Sequence, residues 1–271
     1  YNVGVDGSSN GSRYYASLGY YDGQGMQYND DYDKISADLS YENRISRKLT
    51  FSSKAGFVRG KRNHNMGTSY ARNPLWPVYN GDGTYFKANS IDYGNPVMIN
   101  NEATNNSESL NGYLNARVDW KIIDGLTFTA TGSGRAQQSR NCWYNPPKYT
   151  YGGDTYNGEG GVGESTWLHL QTDALLRYEK AWGRHNFSAM AGASYENRVD
   201  QYSSITGRGF TNSALKYETV SGAEKVTTAT GRSQWMLASA FTRLTYDWSG
   251  RYFATFTARA DGSSKFAEGH R

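Results

Sequence analysis

LNGYLNARVDWKI, residues 110–122, alternates without a break. Leu110, Gly112, Leu114, Ala116, Val118 and Trp120 fall on one side of an extended chain, and Asn111, Tyr113, Asn115, Arg117, Asp119 and Lys121 on the other. Successive side chains of a strand point to opposite faces, so this stretch predicts a strand with one apolar and one polar face. The same period recurs in LHLQTDALLRYEKAW (168–182), HNFSAMAGASYEN (185–197) and RYFATFTARAD (251–261). RYYASLGYYDGQG (13–25) divides likewise, with Tyr14, Ala16, Leu18 and Tyr20 opposite Tyr15, Ser17, Gly19 and Tyr21. About ten such strands are predicted, near 1–7, 12–22, 32–44, 48–60, 108–122, 125–138, 165–182, 185–202, 232–248 and 250–261. Most exceed the roughly 9–11 residues that cross a bilayer at a tilt.

The connections sort by parity. GSSNG (7–11), ISRK (45–48), IDG (123–125), WGR (182–184) and WSG (248–250) are short; the others are 23–31, 61–107, 139–164 and 203–231, the last three of them long. In an up-and-down meander every second connection lies at the same end. Membrane barrels have short turns at one end and long loops at the other, and a soluble sandwich has no reason to sort them so. Trp120, Trp182, Trp248 and Phe51 sit beside the short turns, and Tyr20, Tyr21, Tyr195 and Tyr202 toward the long loops, as two interfacial girdles would require.

Composition excludes the other common classes. The 271 residues include 23 Tyr, 7 Trp and 31 Gly but are only 37% hydrophobic, too few branched aliphatics for an ordinary soluble core of this size. Mean hydropathy is −0.78, and no apolar run approaches the roughly 20 residues of a membrane helix. The net charge of +4 is scattered, without the clustered basic face that nucleic acid demands. One cysteine, Cys142, rules out an internal disulfide. The chain begins in a strand-like segment, YNVGVDG, and stops in polar KFAEGHR, so an interior piece of a longer protein is expected.

Three segments carry more than composition. SRYYASLGYYDGQGM (12–26), ARNPLWPVYNGDGTYF (71–86) and RADGSSKFAEGHR (259–271) resemble signature segments of the SusC/RagA family of TonB-dependent outer-membrane transporters, the large nutrient importers of Bacteroidetes. The resemblance runs in order through the whole chain. It implies an all-β, antiparallel up-and-down transmembrane barrel of about 22 strands, of which this chain supplies about ten. It also implies an outer-membrane location, a SusD-like surface lipoprotein as lid, energy from the TonB complex, and cargo of oligosaccharides or peptides. Residues 1–271 are expected to be barrel alone, with the plug domain, TonB box and C-terminal strands outside the chain. About ten strands with two open edges are expected to need the rest of the barrel to stay soluble.

No motif points to catalysis. GEGGVG (158–163) fits a nucleotide fingerprint by spacing, but it lies in a predicted glycine-rich loop that runs into a strand rather than a helix. His64, His169, His185 and His270 lack zinc-site spacing, NDDYD (29–33) reads as a solvated acidic loop, and no cofactor is expected. The candidate ligand-binding residues are aromatics of the long loops: Trp76, Tyr79 and Tyr85 in one, Trp143, Tyr144, Tyr149 and Tyr151 in another. Flat rings stack on the C–H faces of sugars while neighbouring Asn and Asp bond hydroxyls. The same rings equally suit packing of the loops against each other or a lid. Arg117, Asp119, Arg177, Glu179 and Arg259, on the polar face, are free either to meet a plug or to pair across strands. A passive porin and a soluble glycan-binding module are the alternative readings. TonB-independent diffusion would mark the first, and detergent-independent solubility the second.

Overall fold

The structure, a computed structural model, describes residues 1–64, 72–87, 94–147, 156–212 and 214–267. Ten strands follow one another: β1 Asn2–Ser9, β2 Ser12–Gln24, β3 Asp31–Arg44, β4 Leu49–Asn63, β5 Thr104–Ile123, β6 Leu126–Asn145, β7 Glu159–Trp182, β8 His185–Phe210, β9 Ala223–Trp248 and β10 Tyr252–Ser263. Each pairs antiparallel with the next, in one sheet of order β1 to β10. A one-layer sheet of this order is an arc of an up-and-down barrel and not a sandwich. No helix among the described residues is long and apolar enough to cross a membrane.

Every strand expected from the alternation is present, but the strands run farther toward the long connections. The expected loops 139–164 and 203–231 shrink to 146–158 and 211–222, and the latter holds a 3₁₀ helix, Lys216–Gly222. The glycine run 158–163 is therefore largely strand, not loop. Gly160 pairs with Tyr144, and a Cβ there would meet the Tyr144 ring at 2.8 Å; at Gly161 it would lie 2.5 Å from the Ile205 carbonyl oxygen. These glycines mark close approach of strands, a role glycine fills inside sheets. One further short helix, α1 (Pro96–Glu102), leads into β5.

The turns at the other end are tight. Asn10 and Gly11 alone join β1 to β2, with φ of 49° and 83°. Two left-handed residues give the turn whose twist matches a hairpin, and Asn-Gly is its preferred sequence. Gly11→Val, forced left-handed, is expected to destabilise the full-length barrel by about 1–2 kcal/mol in urea titrations, with Asn10→Gly nearly neutral.

Register sorts the side chains into two faces. One register row reads Phe51, Val118, Ala130, Ala174, Ala193, Ala240, Ala260. A row of opposite parity reads Glu42, Ser52, Arg117, Thr131, Asp173, Ser194, Ser239, Asp261. The apolar face is bare: Leu18 is 60% exposed and Leu114 55%. Leucines at such exposure across a whole sheet face are matched by lipid, not water. The apolar band has limits. Trp182, His185, Trp248 and Tyr252 stack along the short-turn rim, with successive ring centroids 5.5, 6.4 and 5.5 Å apart. Toward the long connections the band stops at Leu110. The next outward row is charged, with Glu108, Arg140 and Glu164 in register, Arg59 2.6 Å from Glu108, and Arg140 3.4 Å from Glu164. From Leu110 to Trp120 a tilted strand climbs roughly 25 Å, the height of a barrel's apolar belt.

The opposite, wet face carries ion pairs that run along single strands. Arg117 meets Asp119 at 2.7 Å, Arg177 meets Glu179 at 4.0 Å, Arg198 meets Asp200 at 2.8 Å and Arg259 meets Asp261 at 2.8 Å. These four pairs join two residues of the same strand, because positions i and i+2 share a face, whereas Arg208 pairs across strands with Glu159 at 2.7 Å.

Candidate binding site at the long-connection end

Among the described residues, the fully buried apolar side chains gather above the membrane band. Met98, Ala103, Cys142, Tyr144, Phe210 and Val220 are each at most 8% exposed. Tyr144, Phe210 and Val220 form a small core where the 3₁₀ helix folds onto the tops of β6–β9, and Met98 is buried on α1. Tyr144 meets Phe210 edge-on at 5.3 Å between centroids. Lys216 donates from Nζ to Thr104 Oγ1 at 3.1 Å and ties the 3₁₀ helix to β5.

Asn95 holds the first long connection. Fully buried, it donates from Nδ2 to the carbonyls of Val78 (2.7 Å) and Phe86 (3.4 Å), while Oδ1 accepts from the amides of Val97 (3.2 Å) and Met98 (3.4 Å). One side chain therefore caps α1 and pins the 72–87 segment to it. That segment is a miniature hairpin closed by a bridge between Tyr79 and Tyr85, with Gly83 at φ 84°. Asp82 accepts from the Thr84 amide (3.0 Å) and hydroxyl (2.6 Å), bonds that hold its carboxyl below the usual carboxylate range. Arg72 donates to the carbonyls of Gly94 and Pro77, both at 3.1 Å, and lies 5.9 Å over the Trp76 ring.

The expected aromatics separate in this frame. Trp76, Tyr79 and Tyr85 share the hairpin. Trp76 is half-buried 6.4 Å from Phe86, and Tyr79 stays 49% exposed with its ring 5.2 Å from Tyr85. The Tyr85 hydroxyl accepts from Asn101 Nδ2 at 3.0 Å. Trp143 is half-buried on the wet-face parity of β6, in register with Gly161. Tyr144, one residue on, faces outward and is 1% exposed, so its ring packs the core and no face remains for a ligand. Tyr149 and Tyr151 lie outside the described residues.

Sequence reading passed over the aromatics of the wet face. Trp167 donates to Gln137 Oε1 at 3.1 Å and carries Arg198 4.9 Å over its ring; Trp235 lies 6.1 Å from His169. Their parity, shared with Arg198 and Asp200, was the available signal. Tyr156 lies under Arg208 at 4.0 Å, and Arg208 donates to Glu159 at 2.7 Å. Cys142 is buried, which pushes its thiol upward in pKa and keeps it protonated. Within the predicted acidic loop, Asp30 accepts from Arg62 at 3.0 Å. No group of three His, Cys, Asp or Glu side chains converges among the described residues.

No protein-family profile matches the chain. The curated relatives are informative. TonB-dependent receptor P3 of Formosa agariphila is 26% identical over 99% of this chain and 28% of its own length. TonB-dependent receptor SusC of Bacteroides thetaiotaomicron is 24% identical over 100% of this chain and 29% of its own. Along its whole length the chain is similar to TonB-dependent receptors, SusC among them. Solved structures agree on the fold. The RagAB peptide transporter superposes with a TM-score of 0.79 at 19% identity, over 98% of this chain and 32% of that one. The ferric citrate transporter FecA superposes with a TM-score of 0.63 at 11% identity, over 97% of this chain. The chain thus spans under a third of the length of the curated receptors it matches. Its ten strands are outer-membrane barrel strands, and the long connections form one rim of that barrel.

Proposed function

We propose that this chain is the wall and mouth of an energised importer of oligosaccharides or peptides, a carrier and not a catalyst. In this reading residues 1–271 are one part of the barrel domain. The remainder of the protein supplies the plug, the TonB-coupling segment and the further strands, and a SusD-like lipoprotein covers the mouth. The observation that carries it is the asymmetry of the sheet: tight turns at one end, and at the other an ordered aromatic hairpin held on Asn95. Binding residues concentrate on loops fixed by a rigid scaffold. Trp76, Tyr79, Tyr85 and Trp143 are the proposed cargo-stacking residues, with Tyr149 and Tyr151 proposed from the same loop run; Tyr144 supports them from below.

The test is uptake by cells carrying the full-length gene, with and without a working TonB. Deletion of TonB is expected to abolish accumulation of the cargo. Undiminished uptake would establish a passive pore instead. In the same protein Tyr79→Ala is expected to weaken cargo binding about three- to tenfold, the worth of one stacked ring.

A further inference from the structure

The wet face of β5–β10 neutralises five of its seven arginines: Arg208 pairs across strands with Glu159, and the other four have an acid two positions on. Arg117, Arg177, Arg198 and Arg259 are followed in this way by Asp119, Glu179, Asp200 and Asp261. Arg135 breaks the rule. Its second neighbour is Gln137, whose carbonyl is committed to Trp167. Arg135 is exposed on the wet face of β6, between Tyr113 and His169 in register. Among the described residues it makes no hydrogen bond or ion pair. The acids around it are already engaged: Asp38 accepts from the Tyr113 hydroxyl at 2.8 Å, Glu196 faces His169 at 3.4 Å, Asp173 accepts from Gln171, and Asp200 holds Arg198. Arg243, followed by Thr245, also lacks an acid two positions on. It lies toward the short-turn end, however, with Met190 and Thr257 as register neighbours instead of an aromatic ring and a histidine.

An exposed guanidinium with no partner, beside an indole and the amides of Gln137, Asn111 and Asn115, is prepared to receive a planar anion. Its fork matches a carboxylate bidentately. The side-chain amides bond hydroxyls or peptide groups, and Trp167 offers an edge of ring for stacking. We propose that Arg135 anchors a carboxylate of the cargo on the inner wall, the carboxylate being either a uronate of an acidic oligosaccharide or the C-terminus of a peptide. This rests on the importer reading and adds the charge of what passes.

The full-length transporter is titrated with tetragalacturonate and its methyl ester, and with a pentapeptide and its C-terminal amide. At least one acid is expected to bind about tenfold more tightly than its neutral partner, and which pair shows the gap names the source of the carboxylate. Arg135→Gln is expected to bring that acid down to the affinity of its neutral partner; Arg135→Lys, keeping charge without the fork, retains part of the gap. Equal binding of acid and neutral partner in both pairs, including no binding of any of the four, overturns the anchor. So does a gap that survives Arg135→Gln. A gap that Arg135→Gln abolishes, with uptake that ignores TonB, leaves the anchor standing and defeats the importer reading instead.

Discussion

Leu114→Arg is expected to lower the stability of the full-length barrel by about 2–4 kcal/mol, and Asn115→Arg by less than about 1 kcal/mol. The two positions are adjacent on β5 and differ only in face. Leu114 stands outward near the middle of the band between Leu110 and Trp120, in register with Ala55 and Gly134. A guanidinium there must leave water for hydrocarbon, and its nearest polar row, at Glu108, is too far to snorkel to without strain. Asn115 stands on the opposite face, in register with Lys54 and Ser133, where a charge stays wet. Urea unfolding of the barrel reconstituted in vesicles gives both values. Similar losses at the two sites would mean that the faces are not solvated differently.

Phe210→Ala carries the second large effect, and a local one. Phe210 is 4% exposed and closes the small core with Tyr144 and Val220. Large-to-small changes of a buried ring lose about 3–5 kcal/mol in transfer and cavity energy. Here the loss falls on docking of the 3₁₀ helix, because the wall beneath is held by its own ladder from β5 to β9. Amide exchange in the 3₁₀ helix is expected to accelerate by about two to three orders of magnitude, with the lower halves of β6–β8 unchanged. Uniform acceleration through the strands would show instead that this core is part of the global fold.

The strands were legible because lipid on one side and water on the other force a period of two, as at 110–122, and because Asn10-Gly11 punctuates the first hairpin. Their upper ends were not. Above the membrane the outward face no longer needs apolar residues, so Glu108, Arg140 and Glu164 interrupt the alternation while the ladder continues. The glycines at 160 and 161 deepened the error, since close strand approach and loop flexibility leave the same residue in the sequence. At the candidate site, Trp76, Tyr79 and Tyr85 are neighbours in sequence, and the hairpin keeps them together. Trp143 and Tyr144 could not be told apart by type; only parity sends one inward and the other into the core. The anchoring role of Asn95 depends on carbonyls at 78 and 86, which no local pattern announces.

The alternation of lipid and water along one strand is what all of this requires. Single cysteines at each position from 110 to 120, in a Cys142→Ala background of the full-length protein in membranes, carry a spin label whose collisions with oxygen and with a water-soluble nickel complex are measured. Even positions are expected to favour oxygen and odd positions nickel, with period two across the stretch. Equal access to both reagents along the strand, or a period near 3.6, would contradict it.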